Sequence, residues 1–379
     1  MGAFSGVELE DVTLAGDRLE LRRWQASDAA RVHEIMQDPS MREFLALPDP
    51  YTPEVAHHFV TEIGHEGRAD GTGLGCAVVE RSSGRLVGSA ALRLSGDPNV
   101  GYWIAPDARG RGYAAEVTRL LCDWGFSLGL ARILLATDVR NLPSARTALA
   151  AGFRYEGVAR DGVTSGRPGS GLTYRGDLAR FARLAGDPGD RVPYAFAPLP
   201  PKGVDDGVLG LRAVRPDDAD AIIGTDDELA VGWGFGGAPR APEEHRRMAA
   251  AAGLDWLVGT TARFAMVDVA SGEVAGTLDL RKAGPPQVGG IGYTVHPAFR
   301  GRRYTTRALR LLVPWAFEVA DFARLELGAK SGNVASQRAA AAAGFEPDGV
   351  RRARLRNPDG TFSDEVRFAL VNPRYTSRS

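Results

Sequence analysis

Arg109, Gly110, Arg111 and Gly112 are the residues whose types and spacing first suggest chemistry. Two guanidinium groups alternate with two residues that lack a Cβ, so positive charge and bare main chain can both approach an anion. An apolar-periodic run follows at once: Val117, Leu120, Leu121, Trp124 and Leu128 fall on one stripe of a helix. A helix opening at Tyr113 and Ala114 turns its unpaired amides and the positive end of its dipole toward the same point. This pattern predicts a cradle for a phosphate or diphosphate. It is not a Gly-Lys-Ser/Thr phosphate loop, and the Gly-x-Gly-x-x-Gly dinucleotide spacing is missing.

A strand has to deliver that cradle, and residues 100–105 form a short apolar one that Pro106 breaks. Upstream, residues 18–24 alternate as a strand, Ser27-Asp28 caps a helix reaching Gln37, and Pro53 opens a second helix. Residues 76–80 and 86–94 read as a hairpin across Ser82-Ser83-Gly84. Downstream, residues 133–139 are a strand, and Asn141-Leu-Pro-Ser144 turns into a short helix that Gly152 stops. From about residue 184 to 207 the chain is rich in Pro, Gly and Asp, which reads as a linker.

Composition sets the outer bounds. A length of 379 residues suggests two domains, and 44% hydrophobic with 25% charged residues is ordinary for a soluble protein. A net charge of −1 gives no global reason to expect nucleic acid or an anionic membrane as partner. Cys76 and Cys122 are the only cysteines and fit no zinc or redox spacing, so neither a metal nor a disulfide framework is expected. His57, His58 and His65 share a predicted helix but lack companion ligands, and His245 and His296 read as surface residues. With no signal-like start and no apolar run of about 18 residues, a cytoplasmic location is expected.

The pattern then repeats. Leu209-Gly-Leu-Arg restarts what Leu19-Glu-Leu-Arg began, 190 positions later. Gly292-Tyr293 answers Gly101-Tyr102, Arg300 answers Arg109, Asn333 answers Asn141, and Gly344-Phe345 answers Gly152-Phe153, all within two residues of that offset. The chain is a tandem duplication of one domain. The expected division is a first domain at 1–186, a linker at 187–207 and a second domain at 208–379.

Each half resembles the GNAT superfamily of N-acyltransferases, and within it the branch that acetylates ribosomal protein N-termini. The residues that carry the resemblance are Gly101-Tyr-Trp-Ile-Ala-Pro106, the Arg109-x-x-Gly112-x-Ala114 loop, Leu128-Gly-Leu-Ala-Arg132, and Asn141-x-x-Ser144 running to Gly152-Phe153. The resemblance implies an α/β (α+β) fold: two tandem domains, each a mixed, mostly antiparallel central sheet that splays in the middle, with helices on both faces. It implies acetyl-CoA or another acyl-CoA as co-substrate, no metal, and a small-molecule or peptide amine as acceptor. The diphosphate would meet main chain from Arg109 through Gly110, Arg111, Gly112 and Tyr113 to Ala114. The backbone of Trp103, Ile104 and Ala105 would bond the pantetheine amides as a strand would, with Ile104 or its neighbour also facing the oxyanion. Asn141 would touch the pantetheine arm, and Ser144 would protonate the leaving thiolate or merely cap its helix.

In many relatives a tyrosine seven residues after the asparagine is the acid; Ala148 and Ala340 stand there, which leaves Ser144 and Ser336. The counterparts in the second half are Val295, Arg300, Gly301, Arg303 and Asn333. Arg303 replaces Gly112 and puts a Cβ where phosphate would meet main chain, although its guanidinium could grip the phosphate instead; the second copy is expected to be altered toward another donor or a structural role. Pro314 should remove a hydrogen bond from the following helix and kink it. The base that relatives place just before Gly-Tyr is missing, since Asn99 and Gly290 stand there; Asp97 and Asp279 could substitute but read as solvated strand or turn residues. Weak base equipment favours an α-amine, about one-tenth neutral at pH 7, over a lysine. Met41, Phe44 and Leu45, with Trp233, Gly234 and Phe235, lie where relatives border the acceptor cleft, and equally suit core packing. Two rival readings stand beside direct transfer without a covalent acyl-enzyme. One is a donor bound to a carrier protein or tRNA, the only case in which nucleic acid is expected; the other is a non-catalytic acyl-CoA-binding protein.

Overall fold

The structure is a computed structural model that describes residues 9, 12–68, 71–164, 174–235 and 238–375. The chain divides into two compact units, 1–193 and 194–379. In the first, β1 (Leu14–Ala15), β2 (Leu19–Arg22), α1 (Ala29–Met36), α2 (Pro39–Arg42) and α3 (Pro53–Thr61) precede β3 (Gly73–Glu80), β4 (Leu86–Arg93) and β5 (Asn99–Ile104). Then come α4 (Tyr113–Ser127), β6 (Arg132–Asp138), α5 (Leu142–Ala150), β7 (Arg154–Thr164) and β8 (Tyr174–Leu184). The second unit opens with β9 (Val204–Asp205), β10 (Leu209–Ala213), α6 (Ala219–Ile223), α7 (Glu228–Trp233) and α8 (Pro242–Val258). It continues with β11 (Ala262–Asp268), β12 (Val274–Lys282), β13 (Val288–Val295), α9 (Tyr304–Pro314), β14 (Arg324–Lys330), α10 (Val334–Ala342), β15 (Glu346–Arg356) and β16 (Phe362–Val371).

Each unit holds one eight-stranded sheet, ordered β1-β2-β3-β4-β5-β6-β8-β7 and, in the same sense, β9-β10-β11-β12-β13-β14-β16-β15. Every pairing is antiparallel except the central β5–β6 and β13–β14. Those two need a crossover, supplied by α4 and α9, and so the loop before each helix lies at the end of a central strand.

The first core gathers Leu21, Val78, Leu92, Val117, Leu121 and Phe181, all fully buried. The second is built on aromatic contacts: Trp256 lies 5.0 Å from Phe264 and 5.5 Å from Trp315. Phe196 joins this core at 2% exposure, and the indoles of Trp256 and Trp315 donate to the carbonyls of Ala197 and Pro198. Much of the stretch that reads as linker is therefore packed on the second unit. Proline-rich chain carries no periodicity, yet its carbonyls and a lone aromatic still find partners. After Pro314 the helix widens into a π turn over Trp315–Val319, which lets the chain run on past the missing N–H.

Candidate active site

The two central parallel strands part almost as soon as they meet. β5 pairs with β6 only at Asn99↔Leu134, and β13 with β14 only from Val288 to Ile291. Ala105 N–H donates to Val87 O at 2.9 Å, and Ser89 pairs with Trp103, so the main chain of Trp103 and Ala105 is engaged with β4. Alternation along the strand then turns the amides of Tyr102 and Ile104 into the opening. Of Trp103, Ile104 and Ala105, only Ile104 offers its main chain there, which corrects the expectation for the other two. Its carbonyl is already capped by Arg109 Nε at 3.2 Å, leaving the amide. Val295 repeats this: His296 N–H donates to Ala275 O, and Arg300 Nε caps Val295 O at 3.2 Å.

At the end of β5 the loop turns through Gly110 (φ 76°) and Gly112 (φ 76°, ψ 10°), and α4 opens with no side-chain cap. The first amides of α4 are thus free for an anion at the positive helix end. Arg303 takes the same left-handed turn (φ 60°, ψ 23°) after Gly301 (φ 77°), and α9 is likewise uncapped. A Cβ built at Gly112 would meet only Arg18 Nη2, 3.7 Å away, so a side chain at this corner points to open space. The backbone cradle survives the replacement, at a conformational cost of roughly 1–2 kcal/mol.

Neither leading arginine aims its guanidinium at the cradle. Arg109 donates to Ser40 Oγ at 2.8 Å and to Met41 Sδ at 3.0 Å, while Arg300 grips both oxygens of Asp227 at 2.6 and 2.7 Å. They staple the strand end to α2 and α7, and only their main chain is left for a phosphate. Arg111 has its guanidinium 3.6 Å from Glu80, and its carbonyl accepts from Arg18.

Across the opening, Asn141 Oδ1 accepts the Ser144 amide at 3.2 Å and Asn333 Oδ1 the Ser336 amide at 3.1 Å. Asparagine is therefore the helix cap, and each serine hydroxyl is free for other work. Ser144 Oγ lies 3.0 Å from the Tyr102 hydroxyl, and Ser336 Oγ 2.8 Å from that of Tyr293. Burial pushes both phenols above their ordinary pKa, so they stay protonated. Sequence reasoning missed these tyrosines; the signal available was the repeated Gly-Tyr pair. Ala148 and Ala340, where relatives carry a tyrosine, are fully buried.

The family model described as the acetyltransferase (GNAT) domain matches residues 18–154 and again 209–346, well over half of the chain. The chain belongs to the GNAT acetyltransferase family. It is an acyl-CoA-dependent N-acyltransferase with two GNAT domains in tandem. It is 25% identical over 154 residues to "Uncharacterized N-acetyltransferase p20" of Bacillus licheniformis, covering 39% of this chain and 86% of that protein. It is 30% identical over 112 residues to "Probable N-acetyltransferase YjcK" of Bacillus subtilis, covering 29% of this chain and 61% of that one. Among solved structures, the ribosomal-protein-S5-alanine acetyltransferase of Vibrio fischeri matches with 18% identity and a TM-score of 0.41, over 46% of this chain and 98% of its own.

The remaining candidates sort differently in the two GNAT domains. Asp97 is exposed as expected, but Asp279 is a largely buried ion-pair partner of Arg263 (2.9 Å) and Arg281 (2.7 Å). His57 and His58 are exposed, and the described residues include no group of His, Cys, Asp and Glu placed to hold a metal ion. His245, read as a surface residue, is 3% exposed and lies 2.8 Å from Asp226. Burial raises the thiols of Cys76 and Cys122 to about 11 and about 12, which suits neither to nucleophilic attack. Met41 is core, whereas Trp233 and Phe235 stay exposed on the wall of a cleft of about 1430 Å³ in the second GNAT domain. That cleft is also lined by Tyr293, Val295, Arg303, Asn333 and Ser336. No helix among the described residues is long and apolar enough to cross a membrane.

Proposed function

We propose that the protein moves an acyl group, acetyl in the simplest case, from acyl-CoA to a primary amine by direct attack, and that both copies hold the donor. The observation that carries this is the unpaired amide of Ile104, set between the uncapped start of α4 and the Tyr102–Ser144 hydroxyl pair. The donor's diphosphate would sit against the first amides of α4 or α9, and its pantetheine arm along the open edge of β5 or β13. The amine nitrogen attacks the thioester carbonyl, and the oxyanion that forms is met by the amide of Ile104 or Val295. The attacking nitrogen sheds its extra proton to water. As the C–S bond breaks, the thiolate takes a proton from Ser144 or Ser336, the tyrosine hydroxyl behind it resupplies the serine, and water returns the proton to the tyrosine. The left-handed turn at Arg303 supports including the second copy, because the cradle's amides are turned as in the first.

The test is calorimetric titration of CoA, together with free-thiol release from acetyl-CoA over a panel of peptides, amino sugars and simple amines. Ser144→Ala combined with Ser336→Ala should leave CoA affinity unchanged and lower kcat on the order of 10²-fold. A wild-type protein that binds no CoA, or a double variant with full kcat, would overturn the reading.

A further inference from the structure

We propose that the second copy carries a subsite for the ammonium group of an amine with an aryl or branched apolar body, built on Asp226 with His245 behind it. This rests on the acyltransferase reading above and names the acceptor class for one of its two sites. Three carboxylates are among the residues lining the cleft: Asp206, Asp226 and Asp279. Arg307 neutralises Asp206 at 2.6 Å, and Arg263 and Arg281 neutralise Asp279. Asp226 has no arginine side chain against it among the described residues. Its Oδ2 accepts the Arg240 amide at 3.3 Å and lies 2.8 Å from His245 Nε2, which leaves Oδ1 without a hydrogen bond among the described residues. His245 is nine-tenths buried and its Nδ1 has no hydrogen-bond partner among the described residues, where the imidazole bonds only this carboxylate. A carboxylate with one oxygen still open, beside the apolar side chains of Leu229, Trp233 and Phe235, favours a cationic donor that brings its own hydrogen bonds.

Asp226 is held near the chemistry. The next residue, Asp227, caps α7 and is clamped by Arg300, whose Nε caps the carbonyl of Val295. On the same wall Leu229, Trp233 and Phe235 leave 52%, 37% and 51% of their surface in water, an apolar lip that an ammonium alone would not cover. The first copy lacks this pair: α3 and α8 both open on proline, and the fourth residue is Ala56 in one and His245 in the other. Asp226 is thus the group that holds the acceptor as its ammonium, which gives up one proton to water in the cleft before the nitrogen attacks, and His245 is a positioning residue acting through Asp226.

Full-length protein saturated with CoA is titrated with 2-phenylethylamine, with 2-phenylethanol (same body, no charge) and with methylamine (same charge, no body). The amine with both features should bind at least about tenfold more tightly than either control, and Asp226→Asn should weaken it about tenfold or more. In thiol release the same variant should raise KM for the amine and leave KM for acetyl-CoA unchanged. His245→Gln, which can still donate to Asp226, should restore most of the amine affinity that His245→Leu loses. Equal affinity for phenylethylamine and phenylethanol, no binding of the amine at all, or an unmoved amine KM in Asp226→Asn would overturn the subsite. Failure of wild type to bind CoA would instead overturn the acyltransferase reading beneath it.

Discussion

At the scale of single residues, the proposed mechanism turns on the two hydroxyl pairs, which would protonate the leaving thiolate. Ser144 stands 42 positions from Tyr102 in the chain, and only the pleat of β5 facing the first turn of α5 brings them together. No local pattern encodes such a contact, which is why the serine was legible and the tyrosine was not. If Tyr102 and Tyr293 act as reservoirs behind the serines, removing their hydroxyls should hurt less than removing the serines, because water can refill a serine. Tyr102→Phe with Tyr293→Phe should therefore lower kcat about tenfold, below the usual range for loss of a positioned acid, with KM for acetyl-CoA unchanged. Steady-state thiol release settles it: a loss as large as in the serine variants would make the tyrosines the acids themselves. The conformation of Arg303 was hidden for a different reason. Its type argues against a left-handed corner, and only the fold, by over-determining the turn, makes an arginine adopt it.

At the scale of elements, the same staple recurs with its charges reversed. In the first copy Glu116 on α4 accepts the main-chain amides of Arg18 and Leu19 and the Arg18 guanidinium; in the second, Arg307 on α9 pairs with Asp206. Their weights should differ. The Glu116 side chain is 11% exposed and satisfies two amides, so Glu116→Ala should cost about 2–3 kcal/mol, read by urea unfolding. Arg307 is 38% exposed, and Arg307→Ala should cost less than about 1 kcal/mol. A second staple predicts a pH effect. Hydrogen bonding and charge from Arg300 lower the Asp227 carboxyl from its ordinary 3.8 to about 2. A carboxyl depressed on folding contributes stability that is complete above the unfolded value and lost as pH falls through the folded one. The second copy should therefore lose stability between about pH 4 and pH 2, and Asp227→Asn should flatten that part of its acid unfolding curve. An unchanged slope would show that the Arg300–Asp227 pair carries no such linkage. These elements were largely readable beforehand, from proline at helix starts and asparagine at caps; the staples were not, because they join positions from 73 to 101 residues apart.

At the scale of the whole chain, duplication was the most legible feature, since equal spacing of five anchors survives divergence that erases most identities. What the spacing could not convey was whether both copies remain competent, because that depends on backbone conformation at one corner and on packing at one wall. A substitution that removes a cradle amide without disturbing the helix decides the matter. Ala114 and Thr305 each occupy the second position of their helices, where the N–H has no intrahelical partner and proline is tolerated. Each Ala114→Pro or Thr305→Pro change would delete one of the proposed donors to the diphosphate, and a hydrogen bond to a charged group contributes about 1.5–3 kcal/mol. Wild type should bind two equivalents of CoA per chain, and each variant should weaken one of them by between about tenfold and 10²-fold while the other holds. Thermal unfolding should stay close to wild type, which separates lost binding from lost fold. A single equivalent in wild type, insensitive to Thr305→Pro, would make the second copy a structural partner despite its intact corner.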